Sequence, residues 1–161
     1  MRRAYRFRAY PTRTQEGRAA RLLAEHCDLY NAALEERREA WRRQRTNISY
    51  GMQSAQLRDI RRADPHGQGR HSFTAQQQTL RRLNVVFAAF YARARKGSGK
   101  AGYPRFKPYH RFGQVGFIAD DGAKWTPADP GGWAHARLQA VGTVKVRQHR
   151  PVPGVVKFLQ L

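Results

Sequence analysis

The segment Ala4-Tyr-Arg-Phe-Arg-Ala-Tyr-Pro-Thr12, running on into Gln15 to Trp41, decides how the chain is organised. Tyr5, Phe7 and Ala9 alternate with Arg6 and Arg8, the period of a half-buried strand with a cationic outer face. Pro11 ends that strand. Thr12 or Thr14 can cap the helix that follows, with Glu16 in its first turn against the positive helix end. In that helix Leu22, His26, Leu29 and Ala33 share a face, which Leu23, Tyr30 and Leu34 broaden as far as Trp41. Arg37, Arg38, Arg42, Arg43 and Arg45 crowd its end. A cationic last turn suits the helix dipole, but five Arg in this span exceed what capping requires and point to phosphate contact.

Two further helices follow. One starts at Asn47 or Ser49 and runs to about Arg62, with Met52, Leu57 and Ile60 inward. After the loop Asp64 to Gly69, the other runs from about Thr74 to Arg95. Its Leu80, Leu83, Phe87, Phe90 and Ala94 fall three or four residues apart, with Val86 and Tyr91 beside them, so this stripe is read as packing. Lys96 to Gly102 reads as a flexible basic linker.

Beyond it the composition changes to aromatics, Val, Gly and Pro. Val115 to Ile118, Arg137 to Val141, Thr143 to His149 and Val155 to Leu159 read as short strands. Asp120 to Gly132 reads as a polar loop anchored by Trp125 and Trp133. A lone N-terminal strand needs partners, and these lie beyond residue 110. The expected fold is therefore α+β, with about three helices inserted into a small β-barrel or sheet.

The charge narrows the function. The net charge is +20 on 161 residues, and of the 31 cations only six are Lys. Such a field attracts polyanions, and Arg forks onto phosphates and base edges. No long apolar span, signal-peptide core or lipidation signal is present, so the expected location is cytoplasmic, associated with the nucleoid and not with a membrane. The single Cys27 excludes an intramolecular disulfide and a Cys-rich zinc ribbon, and the six His are scattered without metal-ligand spacing.

Seven pieces occur in a recognisable order: Tyr5 to Thr12, Leu29-Tyr-Asn-Ala-Ala33, Ser49-Tyr50, Gln76-Gln-Gln-Thr-Leu-Arg-Arg-Leu83, Phe87-Ala-Ala-Phe-Tyr91, Gly102-Tyr-Pro-Arg-Phe-Lys107 and Gly142-Thr-Val-Lys-Val-Arg147. In this order the chain resembles the N-terminal half of the TnpB (OrfB) proteins of insertion sequences, RNA-guided DNA endonucleases related to type V CRISPR effectors. The resemblance implies a wedge-like, incomplete β-barrel of residues 1–12 and 101–161 and, between them, a helical recognition lobe of residues 13–100, whose partners are guide RNA and DNA. It also implies that Tyr50, Ser54 and Gln77 face a short DNA motif beside the target. Gln suits such a role because its amide bonds adenine bidentately. The position after Phe117, often polar in the family, is Ile118 here.

Family members continue into a RuvC-like nuclease, with three metal-binding carboxylates, and a zinc ribbon. Both are expected to be absent from this chain, which ends at Leu161 inside the barrel. Asp120, Asp121 and Asp129 lie in one local stretch and are read as solvated structure, so the chain is expected to have no catalytic residues, no metal site and no cofactor. Candidate phosphate contacts are Arg3 beside Arg2, Arg6, Arg8, Arg42, Arg43, Arg45, Arg61, Arg62, Arg81, Arg82, Arg105, Lys107, Lys145 and Arg147. Paired cations repel unless an anion lies near. A truncated barrel would leave Val155 to Leu159 as an exposed edge prone to self-association. Two other readings are a stand-alone helix-turn-helix DNA-binding regulator, which the long Ala63 to Phe73 connection disfavours, and a basic RNA-binding structural protein.

Overall fold

The structure, a computed structural model, describes residues 3–97 and 101–161. Arg2 and the middle of the linker, residues 98–100, lie outside the described residues.

The first helix, α1 (Arg13–Gln44), is fixed at its start by a reciprocal capping box. Thr12 Oγ1 accepts from the Gln15 N–H, and the Gln15 amide oxygen accepts from the Thr12 N–H. Arg45 stops the helix in the left-handed region at φ 54°. Helix α2 (Tyr50–Ala63) is capped by Ser49 and α3 (Phe73–Lys96) by Ser72. Each cap satisfies N–H groups that a helix start leaves without an internal partner. Helix α3 packs against both α1 and α2. Leu22, Tyr30, Leu34, Leu57, Leu80 and Leu83, all buried, form the core between them.

The expected faces hold with corrections. Met52 is exposed rather than inward, and Gln53 is buried in its place beside Leu57. In α3 the buried stripe ends at Phe87; Phe90, packed against Tyr103, is half-buried and Ala94 is exposed.

Among the described residues six strands form one open sheet in the order β1-β5-β4-β3-β2-β6. They are β1 (Arg8–Tyr10), β2 (Gly116–Ala119), β3 (Gly122–Thr126), β4 (Trp133–Leu138), β5 (Gly142–Arg147) and β6 (Phe158–Gln160). The N-terminal strand thus does pair with the C-terminal segment, with Arg8 opposite Arg147 and Tyr10 opposite Lys145. It is shorter than the alternation suggests, because beyond Arg147 the chain leaves the ladder towards Pro151 and Pro153 and offers Tyr5 and Phe7 no backbone partner.

The loop expected over Asp120 to Gly132 contains β3. Trp125 is opposite Ala136 and Ala123 opposite Leu138, so β4 supplies the partner that makes this stretch extended. Gly122 enters β3 at φ 82°, a conformation open to glycine at little cost. The last strand is displaced towards the C-terminus, leaving Val155 83% exposed outside the sheet.

One face of the sheet is apolar throughout. At one end Phe117, Ala123, Leu138 and Val144 join the helical core. At the other, Ala134, Ala136 and Val146 make a second small cluster, met by Phe7 from beside the first edge strand and Leu159 from the other edge. The sheet can bring its two edges to one cluster only by curling, which makes it half a barrel around that cluster. Phe7 stacks on Trp125 with ring centroids 5.9 Å apart, so Phe7 and Trp125 belong to the core of the curl.

Candidate nucleic-acid interface

The pleat that buries Val144 and Val146 turns Lys145 and Arg147 to the outer face. In register beside them on β1 and β4 stand Arg8, Tyr10, Trp133 and His135. Tyr10 and Trp133 meet edge to face with centroids 5.5 Å apart. The Arg147 guanidinium lies 5.3 Å and the Lys145 ammonium 6.0 Å from the Trp133 ring centre, and Arg8 lies 5.4 Å from that of Tyr10. Arg147 Nη1 also donates to the Gly131 carbonyl at 2.7 Å. Like charges placed opposite one another on a sheet are destabilising, yet Arg8 and Arg147 are direct partners. The aromatic rings hold these cations in place; an anion lying on the face would neutralise them.

A second set of residues meets on the helices. Gln77 Nε2 donates to Ser54 Oγ at 3.0 Å, linking α3 to α2. One turn along, Arg81 Nε donates to the Tyr50 hydroxyl at 3.1 Å with its guanidinium over the Tyr50 ring. The three residues expected to face DNA therefore form one half-buried strip, with Arg81 as a fourth member. Ile118 is exposed on β2 and is bonded to none of them.

The remaining cations divide by their partners. Arg42 and Arg43 both reach Glu39 at 2.9 Å, and Arg62 lies 3.8 Å from Asp59. Exposed pairs of this kind contribute little and release their cations readily. Arg45 sits over Trp41. Arg82 covers Phe112 and donates to the Gln114 carbonyl. The Lys107 backbone is clamped to Asn31 of α1 in both directions, at 2.8 and 2.9 Å, so Arg105 and Lys107 are held beside that helix. Arg3 and Arg6 are exposed before β1; Arg3 borders a shallow cleft with Tyr5 and Arg150. Arg61 differs from all of these. Its guanidinium donates to Gly69 O, His71 O and Gln76 Oε1, so it staples the α2–α3 connection and has little capacity left for phosphate.

Sequence reading does not reveal what happens to the histidines. His26 and His71, 45 residues apart, are buried with ring centres 5.1 Å apart. His71 Nε2 bonds Glu25, which Arg70 grips through both oxygens at 2.9 Å and Arg21 at 2.8 Å. Burial tends to raise the Glu25 pKa, but Arg21, His71 and Arg70 outweigh it and the net shift is downward. Burial, followed by the neighbouring His71, pushes His26 down to about 3. Burial also lowers His71, against the pull of Glu25. Thr79 donates to Ala75 O, so His26 Nδ1 must be the donor to Thr79 Oγ1 at 2.8 Å. His26 Nε2 is then the bare acceptor, and among the described residues it has no partner. The pair is a neutral polar core, and among the described residues no three His, Cys, Asp or Glu are grouped to hold a metal ion.

Residues 1–46 match the helix-turn-helix domain family of the OrfB/IS605 type. Over 108 residues, 66% of the chain, the sequence is 33% identical to a Streptomyces pristinaespiralis protein named "Putative RNA-guided DNA endonuclease". The chain is thus similar to the N-terminal region of the OrfB/TnpB insertion-sequence proteins. It matches only 25% of the length of that curated relative. The matched residues 1–46 hold β1 and α1 alone, so a second helix must come from α2, across the short connection Arg45 to Ser49.

Proposed function

We propose that this OrfB-type chain is the nucleic-acid-gripping portion of an RNA-guided DNA endonuclease, binding guide RNA and target DNA and cutting neither. The observation that carries this reading is the strip formed by Tyr50, Ser54, Gln77 and Arg81, where a carboxamide and hydroxyls with base-reading chemistry sit beside an exposed cation. The Lys145, Arg147 and Arg8 face supports it as a surface for a polyanion with stacked bases. Arg3, Arg6, Arg42, Arg43, Arg45, Arg62, Arg82, Arg105 and Lys107 supply further phosphate contacts. The protein grips the heteroduplex by shape and backbone and reads only the flanking DNA motif. Strand scission by two metal ions needs clustered carboxylates. Asp120, Asp121 and Asp129 instead serve a bend and a turn, so no metal or other cofactor is assigned to these residues. Binding partners of this kind place the protein at the nucleoid, and no helix among the described residues is long and apolar enough to cross a membrane. Edge strand β6, unpaired on its outer side, is where copies would self-associate.

The test is binding of the purified chain to structured RNA from its element's end, to unrelated RNA and to duplex DNA across a salt series, with magnesium added to score cleavage. Preference for the cognate RNA that survives high salt is expected, with no cleavage. Equal, steeply salt-dependent binding to all three, or cutting by the pure chain, would overturn the reading.

A further inference from the structure

Arg37 is the one cation of the α1 cluster that the fold takes inside, only 6% exposed. Its Nε donates to Gln53 Oε1 at 2.8 Å and its Nη1 to Asn84 Oδ1 at 3.4 Å, while the guanidinium lies 4.9 Å from the Phe87 ring centre. All three partners are neutral. Among the described residues Nη2 is buried with no partner, and no carboxylate lies within ion-pair distance of Arg37. The neighbouring Glu36 is taken by Gln53 and Gln56.

A guanidinium does not lose its proton in a protein. A buried, permanently charged group without a counter-charge is strongly unfavourable. Arg37 also lines a cleft of about 280 Å³ with Asn47, Ser49, Asn84, Phe87 and Tyr91. Ser49 caps α2 by accepting from the Met52 N–H, so the positive end of a 14-residue helix opens beside this cleft with the N–H groups of Tyr50 and Gly51 left without internal partners.

We propose that this cleft is an anion site for a phosphate group, in which Arg37 and the start of α2 hold a phosphodiester of the nucleic-acid backbone next to the Tyr50–Ser54–Gln77 strip. Phosphate supplies a direct counter-charge for Arg37, on which Glu36 acts only from a distance, and acceptors for the guanidinium, the Asn47 amide and the helix N–H groups. Naming the nucleic-acid backbone as its source rests on the proposed function; the anion site itself does not.

The test uses Asn84→Asp, which places a carboxylate of the same shape on Arg37. The control is Val85→Asp, the same change of charge at a neighbouring position that is 67% exposed. Thermal unfolding is measured with inorganic phosphate replacing chloride at fixed ionic strength. Phosphate should stabilise the wild type and the control but not Asn84→Asp, which should already melt higher without it. Equal stabilisation of all three proteins would overturn the site, whatever the chain does with nucleic acid. Binding to a short DNA duplex across a salt series then identifies the source. Asn84→Asp should lose roughly tenfold in affinity relative to the control, the scale of one charged hydrogen-bonded contact. Its logarithmic salt slope should fall by about 0.9, the share of one duplex phosphate. A phosphate effect without any loss on DNA would keep the anion site and overturn the assignment to backbone phosphate.

Discussion

Acidification should destabilise this protein through His26, by an amount the structure allows to be worked out. The imidazole is buried, donates through Nδ1 to Thr79, and has no acceptor waiting for a proton on Nε2. Its folded-state pKa is about 3, against 6.5 for a free histidine. Below pH 6.5 the unfolded chain therefore takes up a proton that the folded chain refuses, and stability falls as pH falls between 6.5 and about 3. At pH 5 the unfolded group is 1.5 units below its own pKa, which at about 1.36 kcal/mol per unit is a loss of about 2 kcal/mol from this residue. His71, also lowered, adds loss of the same sign. Glu25 is lowered too, so its contribution is present above pH 4.5 and declines only below it, outside a comparison of pH 7 with pH 5. The measurement is urea unfolding followed by circular dichroism at pH 7 and pH 5, at constant ionic strength, for the wild type and His26→Gln. The substitution should lower stability at both pH values and shrink the difference between them by about 2 kcal/mol. Repulsion among the many cations acts on both proteins alike and cancels in that comparison. An unchanged pH 7 to pH 5 difference, or an NMR titration of His26 with a midpoint near 6, would refute the reasoning.

Other outcomes follow from single contacts. Gly122→Ala combines a φ of 82° with a Cβ only 2.4 Å from Ser72 Cβ, so it should strain the β2–β3 bend and disturb the cap of α3. A loss of about 1–3 kcal/mol is expected, readable as a lowered Tm. Leu83→Ala empties a fully buried site in the helical core and should cost about 2–5 kcal/mol in denaturant unfolding. Trp133→Ala removes the ring under Arg147 and Lys145. It should weaken binding to single-stranded RNA by about 1–3 kcal/mol with little change in salt slope, because it deletes stacking and not charge; a reduced slope instead would show that the ring serves only to place the cations.

The sequence carried whatever depends on local periodicity and chemistry. The caps, narrowed to Thr12 or Thr14 and to Asn47 or Ser49, the loop after the second helix, and the outward placement of Lys145 and Arg147 follow from neighbours a few residues away, so they were legible. The pairing of the N-terminal strand with the C-terminal segment was legible too, since an isolated strand must find a ladder and few candidates existed. The stretch Gly122 to Thr126 has no period of its own; β4 makes it a strand by offering hydrogen bonds, which only the assembled sheet supplies. Arg37 and Arg61 look like their exposed neighbours in sequence. What separates them is that Gln53, Asn84 and Phe87 surround one and the carbonyls of Gly69 and His71 surround the other. Likewise nothing local unites His26 with His71. Whether a charged side chain is a solvated ornament, a staple or a ligand is decided by groups distant in the chain, because desolvation and compensation depend on what packs against it. That is the part only the tertiary structure determines.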